Sequence, residues 1–594
     1  MGSTLYNRRK IINHDILDMK LNKYIVSSLL FLGTTGVLTS CNDWLKEDPK
    51  SFIGPESVGN SKEAIDIWVT GVYSNWLDDM FRWSEFPRVL ELDNDYISGP
   101  DWLFGYLGAG NFQGEESLKK MWTGPYNLIN DANLAIENVK GMSGDEAFNA
   151  YRDNALGELY FQKAFAYFML VRAYGPIPVF TTDVSHGNTY YEPRRPVAEV
   201  YDHIIDLLTQ AQELMYNRDN SNYKAGHVCA GSAAGLLAKV YATMASAAMP
   251  AGTELIVRTG PAYENGKYRA PEPKTFGKKA VAGYEEMDAQ ALYEKAAYWA
   301  KRVIDGEYGG YTLLAYDDLW SRSHRNDSEF MWGIQSTNGD ETYCMHIHTY
   351  YSGYYDNASS QFISSGGWVG NTNNWYSLFD DNDYRALKGV RHVWRYYYQE
   401  ENDGAFYYPQ KWSVKVTGYD TEGNKVGEPD PEYAALGYNF YYNLSNECLA
   451  FTTKYDDVTD KATDYADSQW PFLRYADVLL IYAEAQNELG NAAEAVRYLN
   501  MVRNRSNAAL MTTTPQKTAL RSSILEERAK EFACEGDRRW DIIRWGIYLD
   551  CMNAIGHDDS NVNKERTERN LLYPIPTDEM NVNTAIKENN PGWN

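Results

Sequence analysis

Leu473-Arg-Tyr-Ala-Asp-Val-Leu-Leu-Ile-Tyr-Ala-Glu-Ala485 decides the fold class. Tyr475, Val478, Leu479 and Tyr482 recur at three- and four-residue intervals and Leu489 extends the stripe, so a helix with one apolar face is expected. The spacing returns at Tyr201, Ile204, Ile205, Leu208, Ala211 and Met215, and again at Trp122, Tyr126, Ile129 and Ile136. Further helical patterns cover 61–80, 151–174, 230–248, 290–305, 493–505 and 516–536. Asn491-Ala-Ala-Glu494 has the form of a capping box ahead of the helix carrying Ala495 and Leu499. The helices come in pairs with short turns, and small residues (Ala164, Ala238, Ala297, Ala485) fall where two helices would touch. That pattern is tetratricopeptide-like, although the units are not contiguous. The expected fold is mainly α: a tetratricopeptide-like scaffold of helical pairs with a loop-rich variable subdomain. Arrays of this kind usually scaffold rather than catalyse.

Between about 306 and 470 the helical stripe disappears. Gly, Asn, Asp and Tyr crowd together in Tyr350-Tyr-Ser-Gly-Tyr-Tyr355 and in Gly366-Gly-Trp368-Val-Gly-Asn-Thr-Asn-Asn-Trp375, which read as loops and short strands. A second such stretch runs from Glu91 to Gly114. Loops held by a rigid frame are where binding residues concentrate.

The composition narrows the partner. Apolar residues make up 44% of the 594, enough for a large core. A net charge of −25 would repel a nucleic-acid backbone, so no nucleic acid is expected. An acidic surface neither attracts nor repels a neutral ligand. The 48 Tyr and 17 Trp outweigh the 20 Phe. Tyr and Trp join a flat apolar body to a polar handle. Most must serve the core, but the excess suits a sugar, whose ring face shows C–H groups and whose rim shows hydroxyls.

The N-terminus reads as an address. Lys20 and Lys23 precede an apolar run from Tyr24 to Leu38, which is too short to span a bilayer and has the form of a signal-peptide core. It ends at Leu38-Thr39-Ser40-Cys41, which resembles the lipobox of bacterial lipoproteins. That resemblance implies cleavage before Cys41 and lipidation of its thiol, with Met19-Lys20 the better translational start. Five Lys/Arg and two Asp/Glu precede Cys41, so residues 41–594 carry −28. The expected state is anchored to a membrane, not spanning it. The start Asn42-Asp-Trp-Leu-Lys-Glu-Asp48 resembles the tether with which Bacteroidetes lipoproteins reach the cell exterior.

A search for reacting groups finds little. His346 and His348 form a close pair without the further ligands a metal needs, so no metal is expected. So many Asp leave a structural Ca²⁺ open, but no loop has the twelve-residue calcium-site spacing, and no cofactor is expected. Gly260 to Lys267 is one residue too long for a phosphate loop, and Tyr268 stands where Ser or Thr belongs. The six cysteines form neither CxxC pairs nor a disulfide framework. Glu526, Glu527, Glu531 and Glu535, with Arg528, Arg538 and Arg539, read as ion pairs between helices rather than as acid/base machinery. Glu91-Leu-Asp93-Asn-Asp95, in a loop near Trp102, reads as a turn or as groups for ligand hydroxyls.

Taken in order, the motifs resemble the SusD/RagB family of Bacteroidetes outer-membrane lipoproteins. They begin at Cys41-Asn-Asp-Trp-Leu45 and continue with Gly157-Glu-Leu-Tyr-Phe-Gln-Lys-Ala-Phe-Ala-Tyr-Phe168, Arg172-Ala-Tyr-Gly-Pro-Ile-Pro178 and Arg195-Pro-Val-Ala-Glu-Val-Tyr201. Late in the chain come the opening stretch, Leu499-Asn-Met-Val-Arg503, Glu535-Gly-Asp-Arg538, Asp541-Ile-Ile-Arg-Trp545, Tyr573-Pro-Ile-Pro576 and Asn590-Pro-Gly592. The resemblance is loosest over 250–290 and 336–450. It implies four helical pairs and a signal peptide over 1–40. It implies an N-terminal part over 41–335 with most of the scaffold, and a C-terminal part over 336–594 with variable loops at 336–470. Arg474, Asp477 and Glu484 are expected to hold helices together.

The resemblance further implies a surface-exposed, lipid-anchored outer-membrane receptor over a SusC-like TonB-dependent transporter, with an oligosaccharide as ligand. Family members place the sugar on the face away from the scaffold. In this chain that points to Asp93, Asp95, Tyr96 and Trp102, to Tyr354, Tyr355, Trp368, Asn371, Asn373 and Trp375, and to Trp83. Catalysis is not expected. Two alternatives stay open at this stage: a RagB-like oligopeptide binder on the same scaffold, and a surface glycoside hydrolase, which would need two facing carboxyls.

Overall fold

Ser61 starts the first described helix. Its hydroxyl accepts the N–H of Ala64 at 3.2 Å, and α1 runs Lys62–Asn75 before one π-type turn at Trp76–Phe81. The computed structural model describes residues 59–593, apart from 83–84, 183–190, 262, 265–266, 269–270, 352–353, 357–360, 363–367, 397–405, 408–413, 420–424, 430–448, 462, 464 and 559. In the strands between 263 and 268, 354 and 362, and 393 and 429, it describes the backbone alone. Residues 1–40, expected from the sequence to be a signal peptide, and Cys41 and Trp83 lie outside the described residues.

After α1 come α2 (Glu85–Glu91), strand β1 (Ile97–Ser98) and the single turn α3 (Asp101–Phe104). The long helices follow: α4 (Glu116–Lys140), α5 (Glu146–Tyr174), α6 (Val197–Leu214), α7 (Ala230–Ala248) and α8 (Ala289–Ile304). Past the loop-rich stretch the chain resumes with α9 (Tyr475–Glu488), α10 (Ala492–Arg505), α11 (Lys517–Glu531), α12 (Arg538–Arg544) and α13 (Tyr548–Ile555). The mainly α, paired-helix expectation holds. Each long helix from α4 to α10 packs on its neighbours in sequence, and α8 packs on α9 although the loop-rich stretch separates them in the chain. The loop-rich stretch therefore leaves the helical array and rejoins it at one place.

Helix α5 is the centre. Asp145 caps it by accepting from Phe148 N at 2.8 Å, and every side chain from Ala155 to Val171 is buried. A helix surrounded on all sides has no need of a polar face, which is why 157–168 shows so little periodicity. Trp76, fully buried, packs on Phe165 of α5 and on Trp332 and Phe472, and its Nε1–H donates to Gln162 at 2.7 Å. Burying a side chain of this size contributes about 1.5–3 kcal/mol.

The loop-rich stretch is closed at its neck. Strand β4 (Phe330–Gln335), near its start, pairs antiparallel with β6 (Gln469–Arg474) at its end, and β6 leads directly into α9. A side chain at Gly333 would put its Cβ 2.4 Å from the Trp470 carbonyl oxygen, so only glycine lets the strands approach this closely. Between them lie short helices and small sheets, including strand β5 (Gly370–Asn371), which pairs with β1. Residues 58–594 form one compact unit.

Two local expectations fail. Asn491 makes no side-chain cap on α10; its amide N–H donates instead to Gln486, five residues back in α9, at 2.7 Å. The helix expected over 516–536 stops at Glu531, because Cys534 and Gly536 both take positive φ and turn the chain.

Charge locks the frame. Arg474 is fully buried and donates to Glu329 (2.6 Å), Glu531 (3.0 Å) and Glu535 (2.8 Å). Arg505 joins Glu329 and Glu531, and Arg385 joins Asp383, Glu527 and Glu531. Arg528 bridges Asp477 and Asp541, and Arg544 bridges Glu484 and Asp541. Burial pushes the Glu531 carboxyl up, but Arg505, Arg474 and Arg385 more than offset it and hold it well below the usual carboxylate range. Arg474, Asp477 and Glu484 thus tie elements together, as their place in the motif suggested. Replacing Arg474 by Met removes one cation from a site with three buried carboxylates. The expected loss is about 3–5 kcal/mol of unfolding free energy, read as a shift in the midpoint of chemical denaturation.

Candidate functional site

The acidic loop Glu91-Leu-Asp-Asn-Asp95 turns inward, and this corrects the expectation that its carboxylates face a ligand. Asp93 has no exposed surface; Arg539 and Arg566 (2.9 Å) pair with it, and the Tyr548 hydroxyl donates to it at 2.7 Å. Asp95, equally buried, receives a two-pronged contact from Arg538 at 2.6 and 2.8 Å. The Asn94 side chain accepts from Tyr96 N at 2.8 Å, and Lys564 donates to the carbonyls of Asn94 and Ile97. A carboxylate without water survives only beside a cation, so these acids anchor the loop to the C-terminal segment.

Four more expected contacts are also used internally. Tyr96 is buried under the Arg538 guanidinium, and its hydroxyl donates to Arg258 O at 2.8 Å. Asn371 donates to Ala450 O at 3.2 Å, and Trp375 donates through Nε1 to Ala529 O at 2.8 Å; both are buried. Asn373 is buried within the short helix Asn373–Tyr376. The segment 371–376 thus packs against the frame instead of facing outward. Tyr354 and Tyr355 lie in the strand Tyr354–Asp356, and their side chains are outside the described residues.

What remains on the surface is a pair of rings. Trp102 is 56% exposed, while its neighbours Leu103 and Phe104 are buried and fix the turn beneath it. Trp368, half-buried, meets it edge to face, with ring centroids 5.1 Å apart at 83°. The two residues come from separate stretches of chain. They are joined because β1 pairs with β5, with Ile97 opposite Asn371 and Ser98 opposite Gly370. A Cβ on Gly99 would stand 2.1 Å from the Trp368 carbonyl oxygen and 2.5 Å from the Phe104 ring, so the crossing requires glycine there. Trp368 is held from behind by its N–H bond to Tyr350 O at 3.1 Å. Edge-to-face is a preferred arrangement of two rings, and the contact braces Trp102 against Trp368.

Tyr106, 60% exposed and four residues after Trp102, is a ring the sequence reading passed over. The glycines at 105, 108 and 110 around it were the available signal of a surface turn. Elsewhere the chemistry is structural. His348 is buried with its ring nitrogens 3.3 and 3.2 Å from the Tyr455 and Lys461 carbonyls. Cys229, Cys344, Cys534 and Cys551 are buried free thiols. Among the described residues no group of three or more His, Cys, Asp or Glu could hold a metal ion, and no helix is long and apolar enough to cross a membrane.

The first acid of that loop is poised differently. Glu91 accepts the N–H of Gly536, and burial pushes its pKa from about 4.5 up to about 8. The folded form therefore favours the neutral acid. This contribution to stability is complete below pH 4.5 and is lost as pH rises through 8. Glu91→Gln keeps the acceptor and removes the titration. Thermal melting of the parent is expected to decline between pH 4.5 and 8, and the variant to flatten that decline.

With this geometry in hand, comparison with known proteins is informative. A SusD family profile matches residues 313–593, and one described as starch-binding and associating with the outer membrane matches 43–242. SusD-like protein P2 of Formosa agariphila is 25% identical over 604 residues, covering 96% of this chain and all of that one. Among solved structures, a SusD homolog from Bacteroides thetaiotaomicron superposes with a TM-score of 0.69 at 20% identity, covering 91% of this chain and 98% of its own. Surface glycan-binding protein A from Bacteroides fluxus superposes with a TM-score of 0.62 at 18% identity, covering 90% and 100%.

Proposed function

The chain belongs to the SusD family, and from that premise we propose that it is a lipid-anchored, cell-surface glycan-binding protein that captures oligosaccharides and passes them to a SusC-like TonB-dependent transporter. The observation that carries the reading is the Trp102–Trp368 pair, an exposed, braced indole on a surface built by loops. A pyranose lays its C–H face on such a ring, gaining apolar contact without needing charge. Tyr106 adds a second exposed ring in the same stretch. The profile matched at 43–242, described as starch-binding, supports a carbohydrate as the ligand class and the outer membrane as the place. The buried carboxylates support binding over hydrolysis: those in the 91–95 loop and at Glu527, Glu531 and Glu535 are engaged by arginine, lysine or backbone groups and are not paired across a cleft.

The experiment is retention on affinity gels containing a panel of polysaccharides. Trp102→Ala should cost about 1–3 kcal/mol of binding, by analogy with other ring-stacking contacts, while the melting temperature stays near the parent's because the ring is exposed. Trp368→Ala should weaken retention as well, through loss of the brace. Equal retention of both variants and the parent would discard this site, and release of new reducing ends would replace binding by hydrolysis. The anchor is tested separately: Cys41→Ser is expected to move the protein from the membrane fraction to the soluble one.

A further inference from the structure

A second concavity of about 330 Å³ lies where α5 ends, α6 begins, α7 ends and α12 passes. Its walls are mainly aliphatic: Val171, Val197, Ala247, Val281, Ile543 and Leu572. Arg172 lines it, and its environment differs from that of the fully buried arginines. Arg385, Arg474, Arg528, Arg538, Arg539 and Arg544 each meet at least one carboxylate. Arg172 is half-buried, and no carboxylate among the described residues forms an ion pair with it. Its Nε–H donates to the Phe168 carbonyl at 3.3 Å and one Nη–H to the Met169 sulfur at 2.9 Å, a weak acceptor. Phe168 and Trp540 rings stack on the guanidinium, 4.0 and 5.1 Å from its carbon, and fix its plane. The Trp540 indole N–H is buried and has no acceptor among the described residues.

The charges around the concavity agree in sign. Lys279 and Arg569 line it with Arg172, against one acid, Glu568; Arg544, also in the wall, is neutralised by Glu484 and Asp541. On a chain of net charge −25 this is a locally cationic hollow. A planar guanidinium with free donors is matched by a carboxylate, which accepts two parallel N–H bonds. The aliphatic walls require an apolar body on the same molecule. They would strip a sugar's hydroxyls of their partners, and they would be left unused by an inorganic anion. The volume lies within the usual range of small-molecule pockets, about 300–1,000 Å³.

We propose that this concavity binds an amphipathic monocarboxylate, with its carboxylate on Arg172 and its hydrocarbon body along the Val171, Ala247, Val281 and Leu572 walls. The site does not depend on the Trp102–Trp368 reading and stands or falls separately.

The test is calorimetric titration of the protein with decanoate and, as its neutral counterpart, decanol. Decanoate should saturate one site, and decanol should bind about tenfold or more weakly, the factor expected for losing a charge-assisted hydrogen bond. Arg172→Gln should weaken decanoate by a similar factor. Because Arg172 also packs on two rings, a second variant keeps the test decisive: Val281→Trp, at a half-exposed wall position, fills the hollow, leaves Arg172 in place and should abolish decanoate binding. Absence of decanoate binding to the parent, equal affinity for decanol, or decanoate binding unchanged in Val281→Trp would each overturn the proposal.

Discussion

The buried Arg474 guanidinium is the point on which the fold closes. Its three carboxylate partners come from two places far apart in the chain: Glu329 just before β4, and Glu531 and Glu535 at the end of α11 and in the turn that follows. Removing water from an isolated ion costs several kcal/mol, so none of these groups is tolerable inside without the others. The neck of the loop-rich stretch and the closing helices must therefore come together at once. Trp76, Trp332 and Phe472 supply the apolar contact beside that lock, and Gly333 allows the strands the closeness it needs.

The same exchange of charge shapes the candidate site. Asp93 and Asp95 sit in a stretch that looks exposed, yet each is matched to an arginine some 440 residues away in the chain. Pinning the acidic loop inward leaves the next turn to face outward, and β1 against β5 then sets Trp102 beside Trp368. The ring pair is a consequence of the ion pairs beneath it. The exposed ring offers an apolar surface on a chain of net charge −25, an arrangement that favours neutral molecules over anions. Arg172 is a local exception, a guanidinium beside the Phe168 and Trp540 rings with no ion-paired carboxylate among the described residues.

The division of labour follows from these two facts. Stacked helices give a frame in which buried arginines such as Arg474, Arg528 and Arg544 tie one element to another. Of the loops that leave the frame, the turn at 101–110 carries the exposed rings Trp102 and Tyr106. Scaffold and recognition surface can then vary independently, which is why low identity over nearly the whole chain coexists with a shared fold.

By itself the sequence determined the helical class. Stripes such as Tyr475, Val478, Leu479 and Tyr482 depend on the period of a single helix, and α7 and α8 fall within a residue of where the pattern put them. The arginine–carboxylate clusters of the late motifs were legible as helix ties for a similar reason: charges in buried patterns need partners. Only the tertiary structure decided which aromatic and polar groups reach the surface. Nothing local distinguishes Trp375, whose indole N–H is spent on Ala529, from Trp102, whose ring lies open, or tells Asp93 that Arg539 awaits it. Burial of a side chain is set by what arrives from elsewhere in the chain, and a spacing rule that sees a few neighbours at a time holds no information about it.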